Sequence, residues 1–158
     1  MPVIAIDVAM QHLRADPEDQ ALVLAQLDAA EEVAMKFLNR RFYLDQVELD
    51  ADRTGVQGAM QAARDANAAA VKVAEAEQDH ALRCRLVEHA RQALADAYDK
   101  ADAIAYGMVL NPAIQAACLL KLGHLFANRE DVVTGTIATE LPLASQHLLM
   151  PYRIRMGV

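Results

Sequence analysis

Residues 111–128 read Asn111-Pro112-Ala113-Ile114-Gln115-Ala116-Ala117-Cys118-Leu119-Leu120-Lys121-Leu122-Gly123-His124-Leu125-Phe126-Ala127-Asn128, and this stretch decides the fold class. It opens on an asparagine, whose side chain can accept from a free amide of the first turn. The proline that follows suits the first helical position, where its missing N–H is no loss. Ile114, Cys118, Leu119, Leu122, Leu125 and Phe126 then recur at helical spacing and make a broad apolar face. A central core helix over about 112–128 is expected. Gln115, Lys121 and His124 interrupt it, so it is too short and too polar to span a bilayer.

Working outward, Asp16-Pro17-Glu18-Asp19 reads as a second helix start, with acids in the first turn where the helix dipole favours them. Leu24, Leu27, Ala30/Glu31, Ala34 and Phe37/Leu38 continue the period, and Asn39-Arg40-Arg41 puts cations in the last turn. The expectation is a helix over 17–40, preceded by a short one marked by Ile4, Val8 and Leu13. Leu27, Phe37, Ile114, Leu119, Leu122 and Phe126 are expected to pack together between the two long helices. Beyond the core helix, Val132 to Thr139 favours extended structure, Leu141-Pro142 stops it, and Leu143 to Met150 can make a short helix. In the tail 151–158, Ile154, Met156 and Val158 alternate with Arg153 and Arg155, a strand-like pattern with no obvious partner inside the chain.

The stretch 46–106 differs in composition: 18 of its 61 residues are Ala, and it carries 7 basic and 11 acidic residues. Val56, Met60, Ala63, Ala70 and Ala74 form one small-residue seam; Leu82, Leu86, Ala90, Leu94, Ala97, Ala101 and Ile104 form another. With a reversal in Glu75–Asp79 and Asp79 as the next cap, the two seams make an antiparallel helical hairpin with close backbones. A single long helix is the alternative. The chain is therefore expected to be one all-α domain: a small helical bundle of 1–45 and 107–150, an Ala-rich hairpin insertion at 46–106, a short extended segment and a tail at 151–158.

The whole chain of 158 residues is 54% hydrophobic but only 4% aromatic, with 32 Ala, 6 Gly and 5 Pro, and a net charge of −7. That composition excludes collagen-like, disulfide-stapled and Gly/Pro-rich disordered chains. The acidic balance argues against gripping nucleic acid by neutralising its phosphates. Cys84 and Cys118 each fall in a helical stretch and are expected to be buried free thiols. The N-terminus lacks the basic region of a secretory signal, so a soluble protein made in a reducing cytoplasm is expected.

Residues that carry chemistry are sparse. Glu77, His80, Cys84 and Glu88 share one helix face, and Glu77-x-x-His80 matches half of a di-iron signature. The second half is missing, and one helix cannot wrap a metal with ligands spread over three turns, so a solvated polar face is the plainer reading. Ser145 is the only serine and has no Gly elbow; His12, His89, His124 and His147 are scattered; no Gly-rich phosphate loop is present. No enzyme, metal or cofactor is expected. Arg40-Arg41 and Arg153/Arg155 are the only basic clusters, and they lack an aromatic platform for nucleic acid.

The order of these pieces resembles the head–tail connector (adaptor) family of long-tailed bacteriophages. The resemblance is carried by Phe37-Leu38-Asn39-Arg40-Arg41, by the core helix ending in Leu119 to Glu130, by Glu140-Leu141-Pro142 after a Thr/Val/Gly stretch, and by Leu148 to Arg153 near the close. The insertion 46–106 departs from it, since many members have a short loop there. The resemblance implies a structural neck protein, made in the host bacterial cytoplasm and located in the virion. It would form a ring of about a dozen copies between the portal protein and the stopper or tail protein, around a channel for double-stranded DNA that passes without specific binding. A portal contact is expected at Pro151, Tyr152, Arg153, Ile154, Arg155 and Met156, with strand addition ordering the tail and its arginines meeting carboxylates. An inter-subunit or inter-ring contact is expected at Arg129, Glu130, Val132, Val133, Thr134, Thr136 and Ile137. A helical dimeric binding module of unrelated origin, paired through the 46–106 hairpin, is the alternative.

Overall fold

The computed structural model describes residues 2–128 and 143–155. Among these the chain is all-α: six α-helices, two 3-10 turns and one pair of two-residue strands. It divides into two compact units, Met1–Gln46 with Met108–Val158, and Val47–Gly107.

In the first unit, α1 (Ile6–Leu13) stops at Arg14, which takes a left-handed φ of 53°. Pro17–Asp19 winds as a 3-10 turn and feeds α2 (Gln20–Leu38); Asp16 precedes it as expected, yet its side chain makes no cap bond. The start of α5 (Pro112–Ala127) is the one read from the sequence: Asn111 Oδ1 accepts the Ile114 N–H at 2.9 Å. α5 packs on α1, α2 and α6 (Leu143–Leu149), so it is the central helix. Ile114, Ala117, Cys118 and Leu122 of α5 are wholly buried against Val23, Leu27, Ala34 and Leu38 of α2, with Phe42 and Leu149 closing the core. Phe37 and Phe126 pack at its edge, partly buried. Each fully buried large apolar side chain contributes about 1.5–3 kcal/mol. Leu24 lies outside this face. The buried apolar positions follow 23, 27, 30, 34 and 38, and Leu24 sits about 80° from the centre of that stripe and is exposed. The Val132–Thr139 segment and Leu141-Pro142 lie outside the described residues.

Nothing in the sequence pattern announces the strands. β1 (Phe42–Tyr43) pairs in parallel with β2 (Met108–Val109), Phe42 opposite Met108. Met108 N–H donates to Arg41 O at 2.9 Å, and Leu110 N–H to Tyr43 O at 2.8 Å. The pair stands at the two points where the chain leaves and rejoins the first unit.

The second unit is the antiparallel hairpin α3 (Gln46–Glu75) and α4 (His80–Ala105). No continuous helix runs through: at the reversal Asp79 Oδ1 accepts the Ala81 N–H at 2.8 Å and caps α4. At the open end Arg53 donates to the Ala105 and Gly107 carbonyls (3.2 and 3.1 Å), satisfying acceptors that the end of α4 leaves unpaired. Midway, Arg64 Nε donates to Tyr98 Oη at 2.8 Å. Leu49, Ala74, Ala90 and Ala101 are buried, and Val56, Met60, Ala63, Leu86, Leu94, Ala97 and Ile104 are half-buried. Ala70 and Leu82 of the expected seams are exposed; Val71 and Arg83 take the inward phase instead. The close backbone approach is not realised. Hardly any Cα atoms of the two helices come within 8 Å, and long side chains such as Arg64 and Tyr98 span the gap. Cys84 is exposed rather than buried because it sits on the flank of α4; Cys118 is buried, and both thiols are free.

Candidate functional site

A helix that ends leaves its last carbonyls without partners. At the end of α2, Asn39 takes a left-handed φ of 55°, a conformation that asparagine tolerates better than most residues. The chain's own C-terminal segment meets this end. Ile154 N–H donates to Leu38 O at 3.2 Å. Asn39 Nδ2 donates to Ile154 O at 2.9 Å, and an Arg40 guanidinium N–H donates to Tyr152 O at 3.3 Å. The Arg153 guanidinium lies 4.8 Å over the Phe37 ring, a cation–π contact of about 0.5–2 kcal/mol.

The expected lone strand therefore has a partner within the chain, at least through Ile154. Met150–Tyr152 is a 3-10 turn, Leu149 is wholly buried, and Tyr152 packs partly buried against the core. The Arg/apolar alternation suits a helix end as well as a sheet edge, because both offer backbone acceptors. Pro151 and Arg155 face outward, and Arg155 takes a left-handed φ of 52°. Met156 lies outside the described residues, as do Arg129, Glu130, Val132, Val133, Thr134, Thr136 and Ile137. The basic clusters noted separately in the sequence meet here through Arg40 and Tyr152, while Arg41 instead lies 5.6 Å over the Tyr43 ring.

A second polar feature was hidden in the helical period. Glu31 falls on the buried face of α2 and is 1% exposed. Its carboxylate accepts the Val3 N–H at 2.7 Å and the Ile4 N–H at 2.8 Å, fastening the N-terminal segment to the core. Burial pushes its carboxyl above the usual range, and the two amides only partly offset this. Burial, with the Glu31 charge beside it, also pushes the Cys118 thiol up to about 12. That thiol stays protonated at neutral pH and is a poor nucleophile.

At the edge of the buried face of α2, Ala30 and Val33 form a shallow apolar groove with Lys121, His124 and Leu125 of α5. Gln26 borders it: its Nε2 donates to Leu125 O at 3.3 Å, and its Oε1 is buried with no partner among the described residues.

The helix-face quartet is dispersed. Glu77 accepts the Asp79 N–H, Glu88 pairs with Arg91 at 3.8 Å, and His80 lies between Arg83 and the Cys84 sulfur, 3.7 Å away. Among the described residues no group of three or more His, Cys, Asp or Glu side chains is placed to hold a metal ion. No helix among them is long and apolar enough to cross a membrane. No protein-family model, curated protein or solved structure matches the chain.

Proposed function

We propose that this chain is a structural subunit of a tailed-bacteriophage neck: a ring-forming adaptor that joins the portal to the stopper or tail and surrounds the DNA path. One observation supports the reading above the others. The runs Phe37–Arg41 and Leu148–Arg153, which carry the family resemblance, touch each other across more than 100 residues of sequence, through the Arg40 bond to the Tyr152 carbonyl and the Arg153 guanidinium over the Phe37 ring. Motifs that meet in one place form one structural feature, which a chance ordering of weak patterns would not require. The role needs docking surfaces and no bond-making chemistry. An acidic subunit suits it, since like charge keeps a passing duplex from adhering.

Tyr152 and Ile154 already serve the domain, so the proposed portal contact runs through what the segment leaves outward, Pro151 and Arg155, and onward through Met156. The proposed contact with the neighbouring subunit or ring remains Arg129 to Ile137. Disrupting the gene in a phage or prophage that carries it should give DNA-filled heads without tails, and purified protein should restore tail attachment. Normal tailed virions in its absence overturn the proposal. The dimeric-module alternative draws on the self-contained α3–α4 hairpin, and a mass measurement separates the two. About a dozen 17.3 kDa chains make a ring of roughly 200 kDa, whereas the module stops at two chains.

A further inference from the structure

We infer that one flank of the α3–α4 hairpin is a self-pairing surface, which docks on the same flank of a second copy, tip to tip, to make a four-helix bundle. The flank lies wholly within the second unit, every residue of which is described. Arg64 and Tyr98, which bond across the pair at 2.8 Å, mark the opposite flank. At about 100° per residue, Val73 stands about 180° from Arg64 round α3, and Leu82 about 160° from Tyr98 round α4. Each is the third residue from its helix end at the reversal, and they are 70% and 43% exposed. Away from the tip the same flank runs through Ala70, Ala66 and Ala59 of α3 and His89 and Ala93 of α4, all exposed. The opposite flank is polar: Gln57, Gln61, Arg64 and Lys72 of α3, with Arg91 and Tyr98 of α4. The hairpin is therefore amphipathic as a pair.

Core, charge and area all point to a second copy as the occupant. The largest fully buried side chains, Phe42, Leu27 and Leu38 among them, lie in the first unit; the hairpin helices bury only Leu49, Ala74, Ala90 and Ala101. Such a pair lacks a second apolar layer, and small side chains let one approach to about 8–10 Å between helix axes. From Ala59 to Val73 on α3 and from Leu82 to Ala93 on α4, the flank so defined carries no Asp, Glu, Lys or Arg. A two-fold contact brings two copies of one surface together and doubles any charge it holds, so a flank free of charge suits that partner. About 17 residues of each helix are about 25 Å long, and two helices are about 20 Å across, which gives about 500 Å² per copy and about 1,000 Å² in all. A specific interface has to clear about that area, so a dimer of moderate affinity is expected. Tip-to-tip pairing sets α3 of one copy against α4 of the other and gathers both Val73 and both Leu82 side chains into one apolar cluster, where binding energy concentrates.

The contact goes beyond the neck reading and does not depend on it. A free-standing module stops at this pair, whereas a neck ring that also uses it joins a second ring face to face.

The experiment is sedimentation velocity on the full chain up to several hundred micromolar, comparing wild type with Ala66→Glu on the flank and Ala68→Glu on the opposite one. Both alanines are exposed inside α3, and circular dichroism checks that each variant is folded. Val73→Glu, at the tip, is an independent second variant of the flank. Wild type should pass from one chain to two as concentration rises. Ala66→Glu and Val73→Glu should each weaken pairing at least tenfold, and Ala68→Glu less than threefold. With Cys84→Ser in every chain, oxidation should link Ala66→Cys chains to His89→Cys chains in a mixture, because these two positions lie at the same distance from the reversal. A wild type that stays monomeric throughout, flank variants that pair as wild type does, an equal loss from Ala68→Glu, or cysteine chains that link only to their own kind overturns the inference. A wild-type ring whose mass Ala66→Glu leaves unhalved also overturns it, and the gene-disruption test of the neck role is unaffected by any of these results.

Discussion

Leu122→Ala tests whether α5 is the centre of the fold. Leu122 is wholly buried on α5, the helix that packs on α1, α2 and α6. Truncation removes three carbons, worth about 0.8 kcal/mol each in transfer free energy, or roughly 2.4 kcal/mol. It also leaves on the order of 80 Å³ empty; at about 24 cal/mol per Å³ this adds up to roughly 1.9 kcal/mol if the neighbours stay in place. Partial collapse lowers that figure, and alanine's better helix propensity returns a few tenths. The expected loss is about 2.5–4 kcal/mol. The chain supplies its own probe. Cys118 is wholly buried one helical turn from Leu122, and its thiol, pushed up to about 12, reacts only when the core opens. With the exposed Cys84 changed to Ser, the rate of Cys118 labelling by a thiol reagent follows the population of the open core. Leu122→Ala should raise that rate roughly 60-fold to 700-fold, at about 1.4 kcal/mol per factor of ten. Leu120→Ala is the control: Leu120 is 45% exposed and should change the rate by less than about tenfold. A Leu122→Ala rate within threefold of wild type, or a larger effect from Leu120→Ala, refutes the packing described for α5.

Replacing 46–106 with a short Gly/Ser loop should leave the first unit folded, since β1 and β2 hold the two chain ends about 4.8 Å apart; loss of a cooperative thermal transition would place the hairpin in the core. Asn39→Ala should cost about 2–3 kcal/mol, from the left-handed backbone and the lost bond to Ile154, and Asn39→Gly clearly less; equal costs would show that the backbone conformation contributes nothing. Asp79→Ala should destabilise the hairpin by about 0.5–2 kcal/mol and speed hydrogen exchange in the first turn of α4, while exchange in α5 stays unchanged. Glu31 has a folded carboxyl pKa raised above 4.5, so the folded chain holds that proton more tightly than the unfolded one. Its contribution is full below the unfolded value and is lost as pH rises through the folded value; Glu31→Gln should remove this decline from denaturation curves taken between pH 4.5 and 7, and a wild type that gains stability over the variant on that rise contradicts the assignment.

The two helix starts at Asn111-Pro112 and Asp79 were legible because a cap is a local device: the residue that accepts and the amide that donates lie within three positions. The phase of α2 was legible only in part. Leu24 looked like core by residue type, but Val23 holds the buried position, and the true stripe admits Glu31, a charge that residue type alone assigns to the surface. The signal was there, a carboxylate among apolar positions at helical spacing, yet its partners are amides near the N-terminus, 27 and 28 residues away. The tail misled for the same reason. Its alternation shows that the backbone seeks a partner, and no local pattern reveals that the partner is the end of α2. β1 and β2 are two residues each, too short for any periodicity to register.

The parallel pairing of Phe42 with Met108 bears on the order in which this chain folds. Left as a flexible coil, the intervening stretch would oppose that contact by a closure entropy that grows as about (3/2)RT ln n. From a loop of about six residues to one of about sixty, the increase is roughly 2 kcal/mol. The α3–α4 hairpin removes that disadvantage if it forms first. Its bonds are local, its helices propagate on a submicrosecond scale, and Arg53 draws its open end together by gripping the last carbonyls of α4. During synthesis it also emerges before α5, the helix the core waits for. The Ala-rich insertion then acts as an internal template for assembly, turning the β1–β2 contact into one between near neighbours before α2 and α5 meet.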